Sequence, residues 1–223
     1  MIENAKAAIF DLDGTLVDSM WLWDKIDTTY LNSLGIDKPS DLKKEITHLS
    51  FDKTAEYFKK RFNIPNSIES ILKTWYNMSY NEYTNNIKLK PGAKEFLEYL
   101  SNKGVKIGLA TSNSMILVET CLKSNNIFNL FDKITLTSEV SRDKSFPDVY
   151  LLAAEKLNVS PKDCIVFEDI LPAIHGAKSA GMKVIAVNDE PYTPLGDKAK
   201  IIKEADIYIN DYNTLLNKIK VTI

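Results

Sequence analysis

The stretch that decides the fold is Ala5–Ser19, which reads AKAAIFDLDGTLVDS. A largely apolar run ends at Phe10, and two carboxylates, Asp11 and Asp13, follow it directly. The run is typical of a strand that is buried on both faces, as in the centre of a parallel sheet. Residues two apart in an extended chain share a side, so the two carboxylates are predicted to lie together. Gly14 then permits a sharp turn.

This acidic pair predicts phosphoryl-transfer chemistry. Two like charges held close together are costly unless a cation or a shared proton relieves them, and Mg²⁺ suits hard oxygen ligands. One carboxylate can attack phosphorus and form an aspartyl phosphate. The other can protonate the leaving oxygen and then take a proton from the attacking water. A calcium-type loop or a capped turn can carry the same DxDG string, but its position after a buried strand favours catalysis.

The rest of the chain alternates between strand and helix patterns. Further apolar runs of strand length lie at Val105–Ala110, Ile134–Leu136, Cys164–Phe167, Lys183–Val187 and Ile207–Ile209. Helical patterns lie between them, at Ala93–Lys103, Met115–Ser124, Pro147–Leu157 and Ala173–Ala180. The alternation predicts an α/β fold with a doubly wound, mostly parallel sheet and a Rossmann-like core. Ligands bind such folds at the carboxyl ends of the strands.

The segment 16–88 has a different pattern from the rest of the chain. Its apolar residues recur at helical spacing, and it contains no convincing buried strand. We therefore predict an all-helical cap domain at 16–88, inserted into an α/β catalytic core formed by residues 1–15 and 89–223. The second junction is predicted near Pro91–Gly92.

The motif DLDGTLVDS resembles the first signature of the haloacid dehalogenase superfamily. The order of the remaining segments resembles its β-phosphoglucomutase-like branch, whose helical cap is inserted just after this motif. The resemblance covers nearly the whole chain and is strongest over 5–19 and 89–190. It implies a Mg²⁺-dependent phosphatase in which Asp11 is the nucleophile and Asp13 is the general acid and base.

A second matching motif follows the second core strand, where the sequence reads LATSNS from Leu109. A hydroxyl at the end of a strand, next to backbone N–H groups that open a helix, can bind phosphate. Ser, Thr and Asn are also ordinary residues at the start of a helix, so the residues alone are a weak signal. The resemblance implies that Thr111 binds phosphate and that Ser112 offers its backbone N–H. Asn113 is expected to reach the phosphate or the rest of the substrate.

A third motif contains a lysine just before a helix. Such a lysine can neutralise charge on the nucleophile and on the transferring phosphoryl group. The resemblance assigns this role to Lys144, because its spacing to Pro147–Asp148 matches, although Asp143 and Ser145 depart from the usual flanking residues. Arg142 is a rival for the positive role.

The last motif places two acidic residues at the end of a buried strand, Glu168 and Asp169. The resemblance implies a Mg²⁺ site held by Asp11, the backbone carbonyl of Asp13, and Asp169. Glu168 would bind the metal directly or orient its waters.

Two other functions share this motif set. A β-phosphoglucomutase-type isomerase uses the same core, but the mutases have a histidine soon after the first motif and an arginine in the cap. Here the stretch SMWLWD from Ser19 has no histidine, and Arg61 is the only arginine of the predicted cap. Hydrolysis is therefore favoured. A non-catalytic phosphate-binding protein stays open, since fold does not fix function.

Composition restricts the partners. The chain has 223 residues and a formal net charge of −2, which argues against a dedicated nucleic-acid binder. Charges interrupt the start of the chain too early for a signal peptide, and no apolar run is long enough to span a bilayer. Cys121 and Cys164 lack CxxC spacing and are expected to pack in the core. We predict a soluble, cytoplasmic protein that acts on a small phosphorylated metabolite, such as a sugar phosphate, and is compatible with a monomer.

Overall fold

The computed structural model of the chain describes residues 2–194 and 196–221. The strands in these ranges are β1 (Ala7–Phe10), β2 (Val17–Asp18), β3 (Lys88–Leu89), β4 (Lys106–Thr111), β5 (Lys133–Leu136), β6 (Cys164–Glu168), β7 (Lys183–Val187) and β8 (Ile207–Ile209). One sheet has the order β5–β4–β1–β6–β7–β8, and all its neighbouring strands are parallel. The predicted fold class is confirmed.

The helices connect these strands and cover the sheet. They are α1 (Met20–Ser33), α2 (Leu42–Ile46), α3 (Phe51–Arg61), α4 (Ile68–Asn85), α5 (Ala93–Asn102), α6 (Met115–Ser124), α7 (Asp148–Leu157), α8 (Leu171–Ser179), α9 (Lys198–Glu204) and α10 (Tyr212–Val221). None of the helices in the described ranges is long and apolar enough to cross a membrane.

Strand β1 lies at the centre of the sheet between β4 and β6, and its four residues are buried. Phe10 stacks on Phe167 of β6 with ring centroids 4.3 Å apart. The polar residues that follow β1 are therefore held in place by a buried strand that is paired on both sides. Cys121 and Cys164 are both buried and form no disulfide, as expected for core residues.

The observed bounds differ from the predicted ones by one or two residues. Strand β1 begins at Ala7 rather than Ala5, and α8 begins at Leu171 rather than Ala173. Helix α8 starts early because Pro172 fits in a first helical turn, where its missing N–H costs no hydrogen bond.

Helices α1–α4 follow one another between β2 and β3. Strands β2 and β3 form a short antiparallel pair, with Val17 opposite Leu89 and Asp18 opposite Lys88. This pair was not predicted, because two residues are too few to give a strand pattern. It brings the beginning and the end of the helical segment side by side, near both predicted boundaries. The division into a core and a cap remains a prediction.

Candidate active site

The acidic residues of the site stand at the carboxyl ends of central strands. Asp11 follows β1, and its N–H donates to the Phe167 carbonyl at 3.0 Å, which extends the pairing of β1 with β6. Glu168 is the last residue of β6, and Asp169 follows it. Thr111 is the last residue of β4. Because β4, β1 and β6 are adjacent and parallel, the sheet brings these four residues to one edge.

Lys144 reaches this acidic group from the loop before α7. Its Nζ donates to Asp11 Oδ1 at 2.5 Å and also to Glu168 Oε1, and the residue is only 2% exposed. The Tyr150 hydroxyl donates to the same Glu168 oxygen at 2.9 Å. Gly176 of α8 lets the lysine loop approach, since a Cβ there would lie 2.1 Å from the Lys144 carbonyl oxygen. A glycine in α8 thus leaves room for the loop that carries the lysine.

The rival cation, Arg142, is held at the surface. Its Nη2 lies 2.7 Å from Asp148 Oδ2, and half of its side chain is exposed. Its guanidinium also lies 4.6 Å from the centre of the Phe146 ring. Lys144, and not Arg142, is therefore the positive group that contacts the acidic residues.

Oxygen atoms of Asp11, Glu168 and Asp169 all lie within 4.8 Å of one another. Burial raises the pKa of Asp11 to about 8, although the Lys144 charge opposes the shift. Burial likewise raises the pKa of Glu168 and of Asp169. Burial lowers the pKa of Lys144, but Asp11 and Glu168 outweigh it and hold that pKa above its ordinary value.

The charges and donor atoms of this cluster fit Mg²⁺. When ionised, the three carboxylates together with one ammonium would carry two unbalanced negative charges, which a divalent cation would neutralise. Buried carboxylates are stable as anions only when such a charge compensates them. All the donors are hard oxygens, the type that Mg²⁺ prefers. The cluster is a candidate metal site.

The turn after Asp13 contacts the carboxylate of Asp169. The Thr15 hydroxyl donates to Asp169 Oδ1 at 2.8 Å. Gly14 has φ +82°, and a Cβ there would lie 2.5 Å from Asp169 Oδ2. Only glycine combines this left-handed backbone with so close an approach. The first motif therefore helps to position the Asp169 carboxylate, although Asp169 lies far away in the sequence.

Asp13 accepts hydrogen bonds from several side chains. Tyr83 of α4 donates to Oδ1, as does the Ser19 hydroxyl at 2.6 Å. The Trp23 indole N–H lies 3.3 Å from the same oxygen, and Asn113 Nδ2 donates to Oδ2 at 2.8 Å. The second carboxylate is thus oriented by residues of the helical segment and of the core together.

The loop after β4 lies beside the two carboxylates. The Thr111 hydroxyl is buried and accepts from the Asn113 N–H at 3.2 Å. The Ser112 hydroxyl is also buried, and it has no hydrogen-bond partner among the described residues. The Ser112 carbonyl accepts from the Phe51 N–H of α3 at 2.9 Å. An unpaired hydroxyl next to an acidic cluster is a ready donor to a bound ligand.

These residues surround a cavity of about 320 Å³. The core contributes predicted site residues to its wall: Asp11, Asp13, Thr111, Ser112, Asn113, Lys144 and Asp169. Glu168 does not line the cavity, and it lies behind Lys144. The helical segment contributes residues that the sequence did not point out as part of a site: Trp23, Asp24, Asp27, Lys38, Lys43, Phe51 and Trp75.

Several residues that orient the site carboxylates are not among the residues predicted from the sequence: Thr15, Ser19, Tyr83 and Tyr150. The roles of Thr15 and Ser19 had a signal, since both stand in the DLDGTLVDS motif. The sequence gives no signal that Tyr83 or Tyr150 belongs to a site, because an aromatic residue in an amphipathic helix is normally a core residue.

Comparison with known proteins places the chain in a family. The haloacid dehalogenase-like hydrolase family matches residues 8–187. A phosphorylated carbohydrates phosphatase of Thermotoga maritima is 30% identical over 81% of this chain and 83% of its own length. A protein of Drosophila melanogaster named a probable pseudouridine-5′-phosphatase is 32% identical over 85% of this chain and 84% of its own length.

A solved structure shares the fold. The β-phosphoglucomutase of Clostridium difficile has a TM-score of 0.79 at 22% identity, covering 95% of this chain and 93% of that chain. The chain belongs to the haloacid dehalogenase-like hydrolase family. A structure of a putative β-phosphoglucomutase of Thermotoga maritima is 27% identical with a TM-score of 0.70, covering 98% of this chain and 100% of that chain. The predicted superfamily and its β-phosphoglucomutase-like branch are confirmed, and the phosphatase relatives support the predicted class of enzyme.

Proposed function

We propose that the protein is a Mg²⁺-dependent phosphatase that hydrolyses a small phosphorylated metabolite through an aspartyl phosphate on Asp11. The observation that carries the proposal is the contact between Asp11 and Lys144 at the wall of the cavity, with Asp13 two residues further along. The phosphatase names of the curated relatives support it independently of the geometry.

In the first step, an Asp11 oxygen attacks phosphorus and the bond from phosphorus to the leaving oxygen breaks. Asp13 transfers its proton to that leaving oxygen, so the product is a neutral alcohol. Lys144 offsets the charge of Asp11 and of the phosphoryl oxygens. In the second step, water attacks the phosphorus of the aspartyl phosphate and gives a proton to Asp13. The bond from phosphorus to the Asp11 oxygen breaks, which releases phosphate, restores the Asp11 carboxylate and leaves Asp13 protonated for the next cycle.

The loop after β4 holds the phosphoryl group in this scheme. In this scheme Thr111 and the Ser112 backbone bind its oxygens, and Asn113, which donates to Asp13, lines the same cavity. The unpaired Ser112 hydroxyl supplies a further donor. Asp11, the Asp13 backbone carbonyl and Asp169, with help from Glu168, would hold Mg²⁺, whose positive charge would offset the carboxylates and the phosphate.

The cavity favours hydrolysis over phosphoglucomutation. Arg61 is engaged elsewhere: its guanidinium lies 2.8 Å from Asp41 and 2.7 Å from Glu45. Arg61 does not line the cavity, and neither His48 nor His175 does so. The histidine and arginine of the mutases therefore have no counterpart on the cavity wall in the described part of the chain.

The test is phosphate release from a panel of sugar phosphates and nucleotides, with and without Mg²⁺, for the wild type and for Asp11→Asn. We expect release that needs Mg²⁺ and is abolished in Asp11→Asn, because an amide cannot form the aspartyl phosphate. Asp163→Asn is the matched control, since Asp163 pairs with Lys6 at the surface, and it should retain full activity.

Two results would contradict the proposal. Conversion of β-glucose 1-phosphate to glucose 6-phosphate without phosphate release would identify a mutase. Binding of phosphate compounds with neither release nor isomerisation would identify a non-catalytic phosphate-binding protein.

A further inference from the structure

The cavity wall opposite the strand ends carries four charged side chains that take no part in the proposed reaction. They come from α1, from α2 and from the loop between these helices: Asp24, Asp27, Lys38 and Lys43. Lys38 donates to Asp24 Oδ1 at 2.6 Å, so each of these two side chains already has a hydrogen-bond partner. Asp27 and Lys43 are different, because neither side chain has a hydrogen bond or an ion pair with any residue that the structure describes.

Both groups are partly withdrawn from water. Burial raises the pKa of Asp27 to about 7, with Lys38 and Lys43 opposing the shift. Burial also lowers the pKa of Lys43, which is opposed by Asp189, Asp24 and Asp169. The Lys43 ammonium lies 4.9 Å from the centre of the Tyr192 ring, a contact that leaves its N–H donors unused. Polar groups buried without hydrogen bonds cost free energy, and on a cavity wall a ligand can relieve that cost.

The chemistry of the two groups defines what they can bind. A carboxylate accepts hydrogen bonds, and an ammonium donates them. A hydroxyl group both donates and accepts, so adjacent hydroxyls of one molecule can satisfy Asp27 and Lys43 together. When Asp27 is ionised, the two carboxylates of the wall balance its two ammonium groups, which leaves no excess positive charge for a second phosphate.

The remainder of the wall fits the same kind of ligand. Trp23, Phe51 and Trp75 give it apolar surface next to the charged groups. A wall of aromatic faces with a few polar groups is typical of small-molecule sites. A volume of about 320 Å³ is near the lower end of the range of about 300 to 1,000 Å³ that such sites cover.

We propose that Asp27 and Lys43 form a subsite for the hydroxyl groups of an uncharged tail, so that the substrate is a monophosphorylated sugar or sugar alcohol. The inference rests on the proposed phosphatase only for the position of the phosphate. It assigns the choice of substrate to these two side chains rather than to the groups that contact phosphorus.

The test measures binding without turnover, in the Asp11→Asn protein with Mg²⁺. Sorbitol 6-phosphate, inorganic phosphate and fructose 1,6-bisphosphate are titrated calorimetrically into this protein and into the same protein with Asp27→Leu or Lys43→Met. We expect sorbitol 6-phosphate to bind at least about ten-fold more tightly than inorganic phosphate, since hydrogen bonds to charged groups are strong. Each substitution should remove most of that difference and leave the affinity for inorganic phosphate within about two-fold. Lys44→Met, at the exposed neighbouring position, should change none of these values.

The inference is overturned if both substitutions leave the preference for sorbitol 6-phosphate intact, or if the affinities for both compounds fall together. Tighter binding of fructose 1,6-bisphosphate than of sorbitol 6-phosphate would also overturn it. The titrations need no turnover, so the two proposals can fail separately. A wild-type protein that releases no phosphate would contradict the phosphatase, while the affinities of the Asp11→Asn protein would still support or overturn the subsite.

Discussion

The Tyr83 hydroxyl donates a hydrogen bond to Asp13, although 70 positions of sequence separate the two residues. Tyr83 belongs to α4, and Asp13 follows the central strand, so this bond joins the helical segment to the predicted catalytic residues. Burial and the charge of Asp13 raise the pKa of Tyr83 well above its ordinary value. The hydroxyl therefore stays protonated and acts as a donor to the carboxylate.

Tyr83→Phe should lower kcat about ten-fold with little change in KM. The lost bond has a charged acceptor and is worth about 1.5 kcal/mol, and it orients Asp13 rather than contacting the substrate. Trp23 and Asn113 still donate to Asp13 in this variant, so activity is reduced and not abolished. Steady-state kinetics measure the effect. Tyr80→Phe, at an exposed position of the same helix, is the control, and equal losses in the two variants would contradict the prediction.

Lys144→Met should abolish turnover and destabilise the protein. Without the ammonium, Asp11 and Glu168 lose the cation that contacts both of them, which leaves uncompensated buried charge. We expect the free energy of unfolding at neutral pH, without Mg²⁺, to fall by about 3 kcal/mol or more. Urea unfolding measures this change. Lys123→Met removes an exposed pair with Glu119 and a surface contact with the Phe128 ring, and it should cost less than about 1 kcal/mol. Similar losses in both variants would refute the prediction.

The stabilisation by Mg²⁺ should grow as pH rises from about 5 to 8. Burial raises the pKa of Asp11 to about 8, above the value of about 3.9 in an unfolded chain. The folded protein therefore binds more protons than the unfolded chain, and the stability that Asp11 contributes at low pH is lost as pH rises through about 8. Metal binding requires the ionised carboxylates and reverses this loss. Thermal unfolding with and without Mg²⁺ at several pH values measures the effect, and a shift in Tm that does not depend on pH would oppose the prediction.

Gly14→Ala should weaken Mg²⁺ binding, because the added Cβ would lie 2.5 Å from Asp169 Oδ2. Gly35→Ala is a close control, since Gly35 also has positive φ (+73°) but no atom lies within 4 Å of its Cβ position. Both variants carry backbone strain of about 1 kcal/mol, and only Gly14→Ala displaces a carboxylate. Titration of Tm with Mg²⁺ compares them, and equal Mg²⁺ dependence would show that the contact with Asp169 has no effect on the metal.

The sheet and the strand-end residues could be predicted because their signals are local. Short apolar runs ending in acidic or hydroxyl residues indicated both the parallel strands and the edge where polar side chains meet. The structure brings Asp11, Thr111, Lys144 and Asp169 to one cavity, and their chemical roles remain predictions. The choice between Lys144 and Arg142 needed coordinates, because both are cations of the same loop.

The wall formed by the helical segment could not be predicted from the sequence. Asp27 and Lys43 stand in amphipathic helices, where charged residues normally face solvent. Tyr83 has the spacing of a core residue and is indeed buried, so its pattern gave no sign of the bond to Asp13. Which helix face meets the strand ends depends on how α1, α2 and α4 pack over the sheet.

The hydrogen bond from the Phe51 amide to the Ser112 carbonyl, 2.9 Å long, ties the first residue of α3 to the loop expected to hold phosphate. If the helical segment swings away from the sheet, this amide loses its acceptor and is exposed to solvent. The hydrogen–deuterium exchange rate of the Phe51 amide therefore reports how often the helical segment opens. A ligand that holds both walls together would slow the exchange even when no bond to phosphorus is made or broken.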